Sequence, residues 1–212
     1  MVRVHMLEGE TTDRMEALSD GVFAIVLTLL VLQFEVPDVP ADRAAADLPG
    51  ALADQQALLL SYLLSFFVVG IYWIVHHNLF QQIVRHDRLL LYLNLAFLLV
   101  VSFLPFPTEL LGVYGTHLTW TLYAINIALV GIILTILWWY ADRRAFTSDA
   151  IDDRTGFLIT LRGLIAPAVF LLSIGVAAVN LSAAFFVPLL IFPLQVLWTK
   201  RYQDPELTSE TG

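Results

Sequence analysis

Six continuous apolar segments, separated by polar stretches, follow one another along the chain. A transmembrane helix needs about 17–25 predominantly apolar residues, and each segment is close to that length. The runs are continuous rather than alternating, which excludes the two-residue period of a membrane β-barrel. The pattern predicts an all-α membrane protein with six transmembrane helices in one domain, residues 14–199, between an N-terminal segment 1–13 and a polar C-terminal tail 200–212. The six predicted helices span residues 14–36, 55–77, 89–106, 118–140, 158–179 and 182–199.

The composition agrees with a membrane protein and narrows its chemistry. Of the 212 residues, 58% are hydrophobic and 14% are charged, whereas a soluble domain is typically about 25% charged. The chain has no cysteine, so disulfide and thiol chemistry are excluded. The net charge of −8 argues against nucleic acid as a partner, because nucleic-acid binding usually requires a basic patch. No phosphate-binding glycine loop, catalytic triad or zinc-protease motif is present, so we expect neither an enzyme nor a cofactor.

Positive charges are distributed unevenly between the two sides of the predicted helices. If successive helices alternate in direction, ten of the eleven Lys and Arg residues lie on one side, and Arg43 lies on the other. Because loops rich in Lys and Arg stay in the cytoplasm, both termini are predicted to be cytoplasmic. The ten residues on the predicted cytoplasmic side are Arg3, Arg14, Arg85, Arg88, Arg143, Arg144, Arg154, Arg162, Lys200 and Arg201.

The first predicted helix has one apolar face that contains no charge. At 100° per residue, the side chains of this face lie within about 60° of one direction. Asp20 and Ser19 lie well away from it, on opposite flanks, and Thr28 is the one hydroxyl on it. The face consists of Leu18, Gly21, Ile25, Thr28, Leu29 and Leu32.

The carboxylate of Asp20 requires a partner, because an ionised residue within a membrane span costs about 2.5–3.5 kcal/mol. We therefore expect Asp20 to turn into the protein and to lock helices together. The residues that could approach it are Arg14, His76, His77, Arg85 and Arg162.

The adjacent residues His76 and His77 are poorly placed to share a metal, since neighbouring side chains on a helix point about 100° apart. No Asp or Glu follows them at three or four residues, so no metal site is predicted. A hydrogen-bonded contact between helices is the preferred interpretation, with one histidine meeting Ser19 or Asp20. Asn94, inside the third predicted helix, could join such a polar cluster.

Three segments resemble the transmembrane protein 175 family of potassium channels, in its bacterial branch. The first is RMEALSDGVFAIVLTLLVL, in which Arg14, Ser19 and Asp20 match the family pattern of Arg and Phe-Ser-Asp, while Leu18 replaces the Phe. The others are YWIVHHNLF, at the end of the second predicted helix, and LYLNLAFLLVVSFLPFPTELLGVYG, in and after the third. Together they cover at least the first three predicted helices.

The resemblance implies a homotetramer in a bacterial cell membrane, with a central pore lined by the first helix and permeable to K⁺ and other monovalent cations. By position after the Ser-Asp pair, constricting rings map to Ile25, Leu29 and Leu32, with Thr28 as a polar ring nearby. Such aliphatic rings can close a pore by dewetting, and no TVGYG-type filter loop exists in this chain. The polar residues assigned a structural role are Arg14, Ser19, Asp20, His76, His77 and Asn94.

Two other classes stay open at this point. A secondary transporter commonly contains helices broken by Gly or Pro, and Pro167, Pro188 and Pro193 lie within the last two predicted helices. A non-conducting membrane scaffold could be built from the same helix packing. Downhill flux of K⁺ without coupling to protons distinguishes a channel from both.

Overall fold

The computed structural model describes residues 12–202, and this part of the chain is built from ten α-helices and one 3-10 turn. The all-α class predicted from the sequence is confirmed for these residues. Most of the predicted N-terminal segment and of the predicted tail lies outside them. The helices are α1 (Asp13–Val31), α2 (Ala44–Asp54), α3 (Gln56–Phe80), α4 (Arg88–Phe103), α5 (Pro105–Tyr114), α6 (His117–Arg143), α7 (Asp153–Gly163), α8 (Ile165–Val179), α9 (Leu181–Ala184) and α10 (Ile191–Tyr202), and the 3-10 turn is Val187–Leu190.

Five helical stretches of the described chain are long and apolar enough to cross a membrane. The first helix is not one of them, because Asp13, Arg14, Glu16 and Asp20 lie in its first eight residues. Short helix α2, in the polar loop after α1, was not predicted. The five stretches are Gln56–Phe80, Arg88–Tyr114, His117–Arg143, Asp153–Val179 and Leu181–Tyr202.

Proline interrupts three of these stretches without ending them, and in the last one Pro188 lies in the 3-10 turn Val187–Leu190. Pro105 begins α5 directly after α4, so the predicted end of the third span at residue 106 was wrong, and that span continues to Tyr114. Proline is tolerated in the first turn of a helix because the N–H that it lacks would be unpaired there anyway. Pro167 similarly deprives the carbonyl of Gly163 of a helical N–H partner, and α7 ends at Gly163.

Helix α6 is the centre of the subunit. It packs against α4, α5, α7 and α8, and its large aromatic side chains Trp120, Tyr123 and Trp138 are buried. Helix α1 contacts α3, α4 and α5 and lies at the edge of this core. An edge position leaves one side of α1 uncovered by the other described helices.

Loops at one end of the subunit pair with each other. Ile83, after α3, forms an isolated antiparallel bridge with Thr147, after α6, and the hydroxyl of Thr12 donates to the Ile83 carbonyl. Asp87 caps α4 and accepts a hydrogen bond from the Tyr140 hydroxyl at 2.5 Å. Desolvation raises the pKa of Asp87, but the hydrogen bonds to its carboxylate outweigh this effect and hold the pKa below its ordinary value. The start of α1 and the α3–α4 and α6–α7 loops therefore share one end.

Gly131 permits the close approach of three helices. A Cβ atom at this position of α6 would lie 2.6 Å from Cγ of Pro167 on α8 and 2.6 Å from the hydroxyl oxygen of Tyr72 on α3. Both neighbours are buried and rigid, so a side chain there would force the helices apart.

We predict that Gly131→Ala destabilises the protein by about 1–3 kcal/mol through overpacking. This loss exceeds the gain of about 1 kcal/mol that alanine normally brings to a helix. Thermal unfolding in detergent measures the effect. Gly175→Ala is the matched control, because a Cβ at Gly175 meets nothing within 4 Å. Equal melting temperatures for the two variants would contradict the prediction.

Candidate pore-lining face of the first helix

Helix α1 has a buried face and an exposed face. The buried side chains recur every three or four residues, which is the spacing of one side of an α-helix. They pack on α3, α4 and α5, and Phe23 and Val26 belong to the main core cluster. The buried set is Met15, Ser19, Phe23, Val26 and Leu30.

The opposite face carries the predicted constriction residues. Ile25, Leu29 and Leu32 are 59%, 42% and 73% exposed, and Thr28 lies exposed among them. At 1.5 Å per residue, Ile25 and Leu29 are about 6 Å apart along the helix axis, and Leu32 follows about 4.5 Å further on. One subunit therefore presents three successive layers of aliphatic side chains on a surface that it does not cover itself.

The hydroxyl of Thr28 has an intrahelical partner. Its Oγ1 donates to the carbonyl oxygen of Ile25 at 2.7 Å. A threonine hydroxyl has one proton and two acceptor lone pairs. Because the proton is engaged with the helix backbone, the oxygen is left as an acceptor, which suits a cation better than an anion.

Asp20 lies at the border between the two faces, and the expectation that it turns into the protein was wrong. Asp20 is exposed, and its Oδ1 accepts a hydrogen bond from the indole Nε1 of Trp73 at 2.8 Å. The Trp73 ring stacks on His77, whose Nε2 is 2.9 Å from Nε2 of Gln81. Arg14 is also exposed.

Ser19 is the residue of the Ser-Asp pair that is fully buried. Its hydroxyl donates to the Met15 carbonyl at 2.8 Å and accepts from Nδ2 of Asn94 at 3.2 Å. The Asn94 Oδ1 is 3.0 Å from Nε2 of His76, so one polar chain joins α1, α4 and α3. The His76 ring stacks against Phe80 and Phe97, with centroids 4.2 Å and 5.2 Å away.

Two residues of this region were missed by the sequence analysis. Trp73 precedes His77 by one helical turn, so the two side chains lie on the same face of α3. Because an indole N–H is always a donor and His77 was a predicted neighbour of Asp20, this position could have identified Trp73 as a partner of Asp20. Gln33, after α1, donates to the Pro105 carbonyl at 2.6 Å, at the junction of α4 and α5. An amide next to a membrane helix needs a hydrogen-bond partner, which was the signal for such a contact.

A metal centre finds no support in residues 12–202. They contain no group of three or more His, Cys, Asp and Glu residues that could hold a metal ion. His76 and His77 point to different partners, as described above.

Comparison with known proteins identifies similar chains. The model of the family described as "Endosomal/lysosomal potassium channel TMEM175" matches residues 14–105. A protein of Streptomyces collinus named a potassium channel is 34% identical over 177 residues, covering 79% of this chain and 82% of that protein. A protein of Chamaesiphon minutus, also named a potassium channel, is 35% identical over 68% of this chain and 70% of its own length.

A solved structure has the same architecture. It is the crystal structure of a lysosomal potassium-selective channel TMEM175 homolog from Chamaesiphon minutus. It superimposes with a TM-score of 0.73 at 29% identity, covering 90% of this chain and 97% of that one.

The polar chain gives a prediction for stability. A double-mutant cycle with His76→Ala and Asn94→Ala should give a coupling free energy of about 0.6 kcal/mol and at most about 1.7 kcal/mol, the range for hydrogen bonds between membrane helices. The measurement is the unfolding free energy in detergent micelles. The control cycle pairs His76→Ala with Asn126→Ala, because Asn126 bonds the Val100 carbonyl instead. The same coupling in both cycles would show that the His76–Asn94 contact has no specific energy.

Proposed function

The chain belongs to the TMEM175 family, and from that premise we propose that it is a potassium-permeable cation channel that acts as a homotetramer in a bacterial cell membrane. The observation that carries the proposal is the exposed face of α1, which lies opposite the buried face and includes Ile25, Leu29 and Leu32. A subunit that carries this face once needs further copies to enclose a path, and closed cyclic symmetry is the usual solution.

We propose that α1 is the sixth transmembrane helix of the subunit and that both termini are cytoplasmic. The paired loops support this topology, because they place the start of α1 at the same end as the α3–α4 and α6–α7 loops. Arg85, Arg143 and Arg144 lie in or next to these loops, and positive residues favour the cytoplasm.

The polar groups on the exposed side of α1 favour a protein-lined pore over lipid. A carboxylate facing hydrocarbon is costly, and among residues 12–202 the exposed Asp20 accepts its hydrogen bond from the neutral indole of Trp73. Within an assembly, the same side of α1 faces neighbouring subunits and the central axis. Asp20 then lies at the cytoplasmic end of the pathway, where water can reach it, and the aliphatic layers lie deeper.

The aliphatic layers act as the gate. Rings of Ile25, Leu29 and Leu32 form a narrow apolar passage that can empty of water and so stop ion flow. The described residues contain no loop of stacked carbonyls at this position, so selectivity must come from the width of the passage and from the Thr28 oxygens. K⁺ sheds its hydration water more readily than Na⁺, which gives a preference for K⁺.

Cysteine substitution tests which face of α1 lines the pathway. The chain has no native cysteine, so each introduced thiol is unique. Ile25→Cys, Leu29→Cys and Leu32→Cys channels should lose most of their current when a charged, thiol-reactive methanethiosulfonate reagent is added, because the attached charge fills the passage. Currents recorded in planar bilayers measure the block.

The control for this experiment is Leu172→Cys on α8, an aliphatic residue that is 70% exposed. Its current should not change, since exposure alone does not place a side chain in the pathway. Current through the three α1 variants that persists after modification would refute a pore lined by this face.

Ion flux separates a channel from a secondary transporter. Breaks at Pro105 and Pro167 give the transporter a structural argument, because discontinuous helices often form transport sites. The sixth proposed span, Leu181–Tyr202, is broken as well, and it corresponds to the third span in the other half of the chain. The measurement of flux therefore decides between the two classes. We expect liposomes with a K⁺ gradient to pass thallium downhill, without saturation and without a change of internal pH. Saturating flux coupled to protons would establish the transporter, and absence of flux would establish a scaffold.

A further inference from the structure

An arginine within the fifth proposed span has no acidic partner. Arg162 is the tenth residue of the stretch Asp153–Val179, about 14 Å along the helix from its start. Its Nε donates to Oε1 of Gln195 on α10. The ion pairs found among residues 12–202 are Arg43–Asp47 and Arg144–Asp87, and neither includes Arg162. No acidic side chain of the described residues therefore pairs with this guanidinium, which lies within the membrane-spanning part of the chain.

Most of the donors of Arg162 remain to be satisfied. A guanidinium has five N–H donors in a planar fork, and within the described chain Gln195 accepts from one of them. A phosphate group matches this fork with two parallel hydrogen bonds. The neutral Gln195 fixes the direction of the side chain but does not compensate its charge.

The level of Arg162 in the membrane is set by its neighbours on α10. Gln195 precedes Trp198 by three residues, which is about 4.5 Å along the axis. The Trp198 and Tyr202 rings pack with centroids 4.6 Å apart, and Arg201 lies 5.9 Å from the centre of the Tyr202 ring. Trp and Tyr are typical of the membrane–water interface, so the guanidinium lies about one turn deeper, within reach of lipid phosphates by snorkelling.

Charges of both signs lie on α7, whereas those on the last turn of α10 are positive. Lys200 and Arg201 are exposed on the last turn of α10, beyond Gln195. On α7, Asp153 and Arg154 lie nine and eight residues before Arg162, in the first turn, and their opposite charges offset each other. Clusters of basic residues at the cytoplasmic end of membrane helices attract anionic lipids.

The surface beside Arg162 is open to acyl chains. No residue of α10 is buried within the subunit as far as residue 202. Leu194 and Leu197 flank Gln195 in sequence and are 42% and 62% exposed. A lipid tail can therefore lie along α10 while its headgroup reaches the arginine.

We propose that Arg162, oriented by Gln195, binds the phosphate of an anionic phospholipid of the cytoplasmic leaflet where α7 and α10 meet. The leaflet rests on the topology proposed above, but the site does not depend on ion conduction. The lipid would fasten the peripheral helix α10 to α7 by compensating the charge of Arg162.

Lipid retention tests the proposal on the intact protein in detergent. Native mass spectrometry compares bound phosphatidylglycerol with bound phosphatidylcholine after the two are supplied in equal amounts. We expect the wild type to retain phosphatidylglycerol preferentially. Arg162→Gln should lower this preference about fivefold, which is the effect of one arginine at an anionic membrane surface. Arg162→Lys keeps the charge and should retain most of the preference.

Arg154→Gln is the matched control, because it removes one arginine from the exposed start of the same helix. An equal loss in Arg154→Gln and Arg162→Gln would overturn the proposal, as would an unchanged preference in Arg162→Gln. The wild type alone provides a second measurement that needs no variant to fold. Its melting temperature should rise more with phosphatidylglycerol than with phosphatidylcholine, and an equal rise with soluble glycerol phosphate would show a free-phosphate site instead of a lipid site.

Discussion

The rotation of α1 about its own axis is the constraint on which the candidate site depends. The buried hydrogen bond between Asn94 and Ser19 fixes that rotation, because Ser19 can meet Asn94 in one orientation only. Neighbouring residues on a helix differ by 100°, so a rotation by one residue would carry Ile25 from the open face toward the core. The hydrogen bond between Asp20 and Trp73 also restricts this rotation, because it holds Asp20, the residue after Ser19, at the border of the exposed face. Two polar contacts near the start of α1 thus determine where aliphatic side chains several turns away point.

The other end of α1 is positioned by a different contact, a hydrogen bond from the side chain of Gln33. Pro105 ends the regular hydrogen bonding of α4, and its carbonyl accepts from Nε2 of Gln33, just beyond α1. The junction of α4 and α5 is therefore tied to the residues just after α1. With Ser19 held at one end and Gln33 at the other, α1 is fastened at both ends although it packs on the core along one face.

The two faces of α1 could be predicted from the sequence, because 100° periodicity needs no knowledge of the partners. The position of Asp20 could not. A carboxylate in an apolar segment requires a partner, but the sequence does not say whether that partner lies in the core or at the border of the exposed face. In the structure the partner is Trp73, and it lies at the border. The continuation of the third span beyond Pro105 was missed for a related reason, since proline can begin a helix as well as end one. Periodicity does not predict what the exposed aliphatic face contacts, because lipid, a second subunit and a closed pore all favour Ile and Leu.

In the proposed pore, each subunit contributes one hydroxyl group among the aliphatic layers, that of Thr28. Four Thr28 residues around an axis would place four oxygens between layers of Ile25, Leu29 and Leu32. Because each hydroxyl proton is engaged by the Ile25 carbonyl, the ring would offer lone pairs and no free donor, so it would stabilise a cation and repel an anion. The aliphatic layers on both sides offer no ligands, so an ion must arrive there with part of its hydration shell removed. Discrimination would then follow the cost of dehydration, which is lower for K⁺ than for Na⁺, and it would be weaker than in a filter of stacked carbonyls because a single polar ring replaces few water molecules.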